Sequence, residues 1–376
     1  MTLPESSPTG GRATKDLERA RRVIVCATAY EGGNPYAEML YEEIARLGYE
    51  VWRRRLVEVL FAPPPPGARL VVHLHWISHL VRDPSRLRAV WVTLKYVSLL
   101  TALRLRGARL VWTFHNDMAH EGRHRWLERV VQWWLVHVLV DRIILMSDGA
   151  RVLLADRFSD GVVDRIRVVP HPTYQTAYGP QRPKSEARET LGLDGDARVL
   201  LFFGRVLPYK GVPELLEAFS AISDSDARLV VAGECVDSEL RQELIRGGAA
   251  DPRVILRLKR IPNARVPLWF SAADWVVLPY RDVLNSGVLL LALTYRCPAI
   301  APAIGAIPEV LYREESLAGL VYDPTQPGAL TSALSRALEV SPQQRERYER
   351  VLEEVSADLS VERVGKLLAG IYEELR

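Results

Sequence analysis

Short apolar runs alternate along the chain with stretches whose apolar positions recur every third or fourth residue. This is the pattern of strands feeding helices around a parallel sheet. In the first half, residues 22–29, 49–55, 69–75, 109–114, 142–146 and 165–170 predict strands, and 35–47, 84–106 and 124–138 predict helices. Pro35 suits the first helical turn and Gly48 a helix end. Residues 63–66, all proline, have no N–H for a ladder and predict a stiff exposed connection.

Residues 173–186 (TYQTAYGPQRPKSE) break the alternation and mark a linker. The predicted organisation is a polar, disordered lead-in over 1–21, a Rossmann-like domain over 22–175, a linker over 176–190 and a second Rossmann-like domain over 191–376. The final helix is a candidate to pack back on the first domain. In the second half, 199–203, 227–232, 254–257, 275–278 and 298–301 predict strands, and 213–222, 238–246, 266–273, 287–295 and segments after 327 predict helices. Two doubly wound α/β domains facing across a cleft are the expected fold.

The densest chemistry lies at the first turn of the second domain. The run Val199-Leu-Leu-Phe-Phe-Gly204 ends a buried strand, Arg205 and Lys210 follow, and a helix starts at Pro213. Ligands of open α/β sheets dock at that strand edge, and two cations there favour a diphosphate over the plainer alternative of solvated charges.

Bulk properties narrow the classes. The 376 residues exceed one ordinary core, and a hydrophobic content of 48% supports two. No apolar window is long enough to span a bilayer, and the polar start lacks a secretory h-region. Cys26, Cys235 and Cys297 are far apart and predict core thiols in a reducing, cytoplasmic setting. The histidines lack metal-ligand spacing, and no nucleic-acid module is present, so neither a metal cofactor nor a nucleic-acid partner is expected. The net charge of +3 is uneven: residues 1–175 hold 25 Lys+Arg against 18 Asp+Glu, so the basic half is the first.

Gly204-Arg205 with Lys210-Gly211, the segment Ala273-Asp-Trp-Val-Val-Leu-Pro-Tyr280, and Ile304-Gly-Ala-Ile-Pro-Glu-Val310 resemble the carboxyl-terminal half of retaining glycosyltransferases of family 4, which have the GT-B fold. Gly32-Gly33, His73-Leu-His-Trp76, Thr113-Phe-His-Asn116, Ser147 and Pro170-His-Pro172 agree more loosely, and the resemblance runs from about Arg22 to the end. It implies hexosyl transfer from a nucleotide-diphosphate sugar to a carbohydrate or polyprenol-linked acceptor in polysaccharide or glycolipid synthesis, without a cofactor or metal. Arg205, Lys210, Gly33, Ser286, Gly287 and Val288 would then contact the donor diphosphate. Asn285 and Glu309 would contact the sugar or ribose, and His115 would be the catalytic-site histidine. From the residues alone, Asn285 or Ser286 is equally a helix cap and His115 a structural strand-end histidine.

The family commonly carries two glutamates eight positions apart across the start of the 287–295 helix. Here those positions fall on Val283 and Leu291, or with a one-residue slip on Leu284 and Ala292, and Asp282 is the nearest acid. This departure motivates an alternative, a non-catalytic binding or partner subunit of the same fold. A sugar-nucleotide epimerase ranks below both, because acids are scarce at the expected edge.

The basic half contains two cation-rich segments with tryptophan. One holds Arg86, Arg88, Lys95, Arg104 and Arg106 with Trp91 and Tyr96. The other holds Arg123, Arg125 and Arg129 with Trp126, Trp133 and Trp134. An anionic membrane surface at the inner face is one expected partner. The other reading packs the aromatics in the core and leaves the cations solvated.

Overall fold

A computed structural model describes residues 23–27, 35–77, 80, 83–115, 124–158, 160–312, 317 and 319–375. The lead-in and Gly33 lie outside the described residues. The chain forms two compact units: Met1–Pro170 with Val361–Arg376, and His171–Ser360. Each is built on a six-stranded, all-parallel sheet.

In the first unit, β1 (Val23–Ala27), β2 (Glu50–Trp52), β3 (Arg69–Leu74), β4 (Arg109–Thr113), β5 (Arg142–Leu145) and β6 (Ile166–Val168) lie in the order β2-β1-β3-β4-β5-β6. The chain runs from β1 to β2, then returns to place β3 on the other side of β1. The crevice where strand order reverses therefore opens at the ends of β1 and β3. The helices are α1 (Tyr36–Arg46), α2 (Leu56–Phe61), α3 (Arg86–Leu105), α4 (Arg125–Trp134), which runs into a π-helical turn Leu135–Leu139, and α5 (Gly149–Phe158). The apolar runs that predicted strands are buried along their length, as strands covered on both faces must be.

In the second unit, β7 (Arg198–Phe203), β8 (Ala227–Ala232), β9 (Val254–Arg257), β10 (Trp275–Val277), β11 (Ala299–Pro302) and β12 (Val321–Tyr322) lie in the order β12-β11-β10-β7-β8-β9. The reversal falls between β7 and β10. The helices are α6 (Lys184–Leu191), α7 (Val212–Ser220), α8 (Ser238–Ala249), α9 (Val266–Ala272), α10 (Gly287–Thr294), α11 (Ile307–Leu311), α12 (Ala329–Leu338) and α13 (Pro342–Asp358). α10 is apolar almost throughout and has five buried residues, so it is a core helix.

The Pro/Gly-rich stretch is shorter than 176–190, because α6 occupies its second part. The reason is tertiary. Arg188 is buried, with one guanidinium nitrogen 2.7 Å from Asp274 Oδ2, and that carboxylate also takes Lys184, Arg345 and the Val199 amide. Burial pushes the Asp274 pKa up, but Arg345, Lys184 and the amide more than reverse it and hold the carboxyl below its usual range. The knot sits at the starts of β7 and β10 and locks α6 and α13 to that end.

The last helix, α14 (Val361–Glu374), belongs to the first unit and packs on α1. Tyr372 OH lies 2.7 Å from His73 Nδ1, and Tyr49 OH donates to Glu373 Oε1 at 2.8 Å. Glu374 pairs with Arg142 and Arg167.

Candidate functional site

The second unit's candidate site is built from the loops after β7 and β10, on either side of the strand-order reversal. β7 delivers Phe202 and Phe203 into the core and ends at Gly204, whose φ of +100° an L side chain rarely adopts. A Cβ on Gly233 would lie 1.8 Å from the Gly204 carbonyl oxygen, so two backbones pass within contact there. The chain then makes a 3-10 turn Pro208–Lys210 and enters α7 through Gly211, at φ +64°. Any Cβ on Gly211 would strike Pro279 O at 1.9 Å. Glycine at 211 thus seats the first loop on the second. Arg281 N–H donates to Tyr209 O at 2.8 Å and the Arg281 side chain pairs with Glu214, closing the same seam.

Lys210 is turned back over the sheet end. Its ammonium lies 5.9 Å from the Phe202 ring centroid and 5.6 Å from that of Tyr280. It would be 3.5 Å from a Cβ placed on Gly204, and Val288 Cγ2 is equally near that point. The Gly204 turn, the Lys210 ammonium and the first turn of α10 therefore surround one small volume. Burial, and secondly the positive charge of Arg205, push the Lys210 pKa down to about 8. Arg205 is exposed beside it. Two cations held this close repel one another, and an anion between them would relieve that repulsion.

α10 contributes its amino end. Ser286 is the cap: its side chain accepts from Leu289 N–H at 3.2 Å and is hydrogen-bonded by Tyr280. The capping reading of Ser286 is thus correct, and it leaves the backbone N–H groups of Gly287 and Val288 at the positive end of the helix. Asn285, half-buried, precedes the cap. Gly305, at φ +55°, brings the following loop against this one, since a Cβ there would meet Val283 O at 2.0 Å. Ala306 N–H donates to Leu284 O at 2.9 Å, which sets α11 beside the 283–285 segment, with Glu309 exposed in its first turn. Val283 and Leu284 are half-buried, and Leu291 and Ala292 are buried in the core, so neither glutamate frame places a carboxylate here.

Sequence reading missed two residues of this site. Tyr174 OH would lie 3.0 Å from a Cβ on Gly287, and His171 Nε2 is 3.3 Å from the same hydroxyl. His171 Nδ1–H donates to Pro172 O at 2.7 Å, and burial pushes its pKa down to about 4, so the ring is neutral and its Nε2 accepts from Tyr174. The sequence pattern places the Pro170-His-Pro172 motif with the first half. Its histidine instead stands in the second unit, against the start of α10.

In the first unit, His115 follows β4 and stacks on Trp76, with ring centroids 4.0 Å apart. His75 Nδ1 is 3.0 Å from His115 Nε2, and Tyr41 OH is 2.6 Å from His75 Nε2. Both Tyr41 and His75 are buried, and among the described residues His75 is the hydrogen-bond partner that Tyr41 has. A buried phenol with one partner donates to it, so His75 Nε2 is the bare nitrogen and Nδ1–H donates to His115. Burial holds His75 neutral, with a pKa near 3. His115 is then neutral with its proton on Nδ1, a hydrogen-bond donor. His73, two residues before His75, spends both nitrogens on Tyr372 and Thr113 and is structural. Among the described residues no cluster of His, Cys, Asp or Glu could hold a metal ion, and the three thiols are buried and free.

Residues 197–340 match the family described as glycosyl transferases group 1. The match lies within the second unit. The match covers β7 to β12 and every loop of the second unit's site except His171 and Tyr174. The chain is 31% identical over 232 residues to a GDP-mannose:glycolipid 4-beta-D-mannosyltransferase of Xanthomonas campestris pv. campestris, 62% of this chain and 61% of that protein. It is 24% identical over 330 residues to the lipopolysaccharide core biosynthesis mannosyltransferase LpsB of Rhizobium meliloti, covering 84% and 88% of the two chains. The chain thus spans about 61% of the length of the Xanthomonas relative. Among solved structures, sucrose-phosphate synthase of Thermosynechococcus elongatus superposes with a TM-score of 0.69 at 19% identity, covering 94% of this chain and 99% of that one. HepE of Anabaena, in complex with UDP, superposes at 0.70 and 14% identity, covering 94% and 100%. The fold is therefore GT-B, two doubly wound α/β units.

Proposed function

We propose that the chain is a glycosyltransferase that moves a hexose from a nucleoside-diphosphate donor to a lipid-linked carbohydrate. The observation that carries this is the Lys210 ammonium, held at the Gly204 turn against the first turn of α10 and under the charge of Arg205. Arg205, Lys210 and the N–H groups of Gly287 and Val288 would take the diphosphate, with Ser286 as the cap that aims them. Asn285 and Glu309 are the proposed contacts to sugar or ribose. Charge builds on the diphosphate as the glycosidic bond breaks, so cations and amides already in place stabilise the transition state more than the ground state. The donor role needs no metal, because lysine, arginine and helix end supply the positive charge. For the first unit we propose acceptor binding, with His115 Nδ1–H donating to substrate. The names of the Xanthomonas and Rhizobium relatives favour mannose as the sugar and a glycolipid or lipopolysaccharide as the acceptor. A glycolipid acceptor would also place the work at a membrane surface.

Retention of configuration, expected from the family resemblance, requires no protein base, since the departing phosphate takes the acceptor proton. Inversion is a second reading, favoured by the 4-beta linkage in the Xanthomonas relative's name and by the missing carboxylates at Val283 and Leu291. Donor hydrolysis and transfer with UDP-, GDP- and dTDP-sugars tests the whole. GDP-α-mannose turnover is expected, and the anomer of the product, read by NMR, separates the two courses. Failure to bind any nucleoside diphosphate in calorimetry would sink the donor assignment and leave a partner subunit.

A further inference from the structure

The first unit shows an unusual distribution of large apolar side chains. Eight of the fourteen exposed ones among the described residues lie on α3, α4 and the π-turn: Leu87, Trp91, Leu94 and Leu105, then Trp126, Val130, Trp133 and Val138. They are not scattered. Leu87, Trp91 and Leu94 follow one another at four and three residues, as do Trp126, Val130 and Trp133, so each set forms a stripe along one helix face. The two helices pack on each other, and His124 Nε2–H donating to Asp83 O at 2.9 Å pins their starts together. Trp91 is 62%, Trp126 54% and Trp133 52% exposed, which removes the reading that places these rings in the core. In the second unit, the exposed Val236, Ile245 and Tyr312 are isolated and ordinary.

The charges beside the stripes have one sign. α3 contains no acidic residue, and the only one in α4, Glu128, is buried. Arg86, Arg88, Lys95, Arg125 and Arg129 are exposed. Asp83, just before α3, pairs with Arg88 at 3.2 Å, and the other four have no ion pair of their own among the described residues. Lys95 Nζ sits 5.5 Å from the Trp91 ring centroid, with the cation above the aromatic face. A face that packed against protein would need carboxylates for the four unpaired cations or would bury them unpaired, which is costly. A bilayer surface supplies lipid phosphates at headgroup depth and an apolar layer just beneath, where tryptophan partitions. No helix among the described residues is long and apolar enough to cross a membrane, so such contact would be interfacial.

We infer that the Trp91/Trp126/Trp133 face of α3 and α4 docks on an anionic lipid surface, with the tryptophans entering the interface and the arginines facing lipid phosphates. This deepens the acceptor half of the proposed function, since a lipid-linked acceptor is met at a membrane, but it rests on side chains remote in sequence from the donor loops.

Flotation of the full chain decides it, with vesicles of phosphatidylcholine alone and of phosphatidylcholine with roughly a third phosphatidylglycerol. Binding to the anionic vesicles only is expected. Each surface cation contributes about fivefold in partitioning, so Arg125→Gln with Arg129→Gln should lower it roughly 25-fold. Trp91→Ser, Trp126→Ser and Trp133→Ser together should abolish it, with melting temperature and calorimetric GDP or UDP binding unchanged. No flotation at low salt, or flotation indifferent to both variants, would overturn the inference. So would a concentration-dependent dimer in light scattering that the tryptophan variant dissolves while vesicles fail to bind. Loss of nucleotide binding with flotation intact would instead sink the donor reading alone.

Discussion

Replacing Lys210 by Met keeps most of the apolar stem over Phe202 and Tyr280 and removes the charge. Burial and Arg205 hold the ammonium near pKa 8 in the free protein, against 10.5 for an ordinary lysine. A diphosphate placed beside it reverses the penalty, so binding should draw a proton onto the fraction that is neutral. If the bound lysine returns to its ordinary value, affinity falls about tenfold between pH 7 and pH 9 through this group alone. Losing the charge-assisted contact outright should cost about 1.5–3 kcal/mol at pH 7, roughly 10- to 150-fold in Kd. The stability sign runs the other way. A lysine whose folded pKa lies below its unfolded one destabilises the fold when charged, and the cost is relieved as pH rises through 8. Lys210→Met should therefore melt no lower than the parent at pH 7. Calorimetry with GDP and UDP from pH 7 to 9, in buffers of different ionisation enthalpy, reads affinity and proton uptake together. The same pH slope in parent and variant, or unchanged affinity in Lys210→Met, would refute the placement of this cation on the diphosphate.

Tyr41→Phe should remove the donor that fixes the His75 ring, releasing His115 from the Nδ1–H form. Imidazole 15N shifts at neutral pH should show one tautomer in the parent and a mixture in the variant, with about 1–3 kcal/mol lost in urea unfolding from the unmet His75 nitrogen. Asp274→Asn should cost about 3–5 kcal/mol, because it strands the buried Arg188 guanidinium, yet leave GDP binding by the folded protein intact. The knot lies at the strand starts, at the opposite end from the loops proposed to hold the donor. Since the Asp274 carboxyl is held below its usual range, its contribution is present above the unfolded carboxylate value near 3.8 and should fade on acidification below it, which urea midpoints across pH 3–6 would record.

The strand–glycine–cation–helix passage from Val199 to Val212 was legible because each requirement is local. A buried strand needs consecutive apolar residues, the tight turn needs glycine at 204 and 211, and the two cations are read directly from the residue types. The same locality made both parallel sheets readable, since buried parallel strands declare themselves without their neighbours. α6 was not legible, because its helix depends on Arg188 meeting Asp274, a residue 86 positions away. His171 and Tyr174 read as a linker edge until tertiary packing set them against Gly287. His75 and His115 are 40 positions apart and meet only because β3 and β4 are neighbours in the sheet.

The sequence by itself determined the alternation of strand and helix, the division into two α/β units and the presence of two cations in the loop after β7, all of which follow from short-range rules of periodicity, turn chemistry and charge. Only the tertiary structure decided which nitrogen of His75 faces Tyr41 and which faces His115, that burial and Arg205 lower the Lys210 pKa, and that three tryptophans face outward. Burial and its electrostatic consequences depend on what packs around a residue, and a linear pattern fixes the spacing of a helix's apolar stripe without saying whether protein or solvent lies against it.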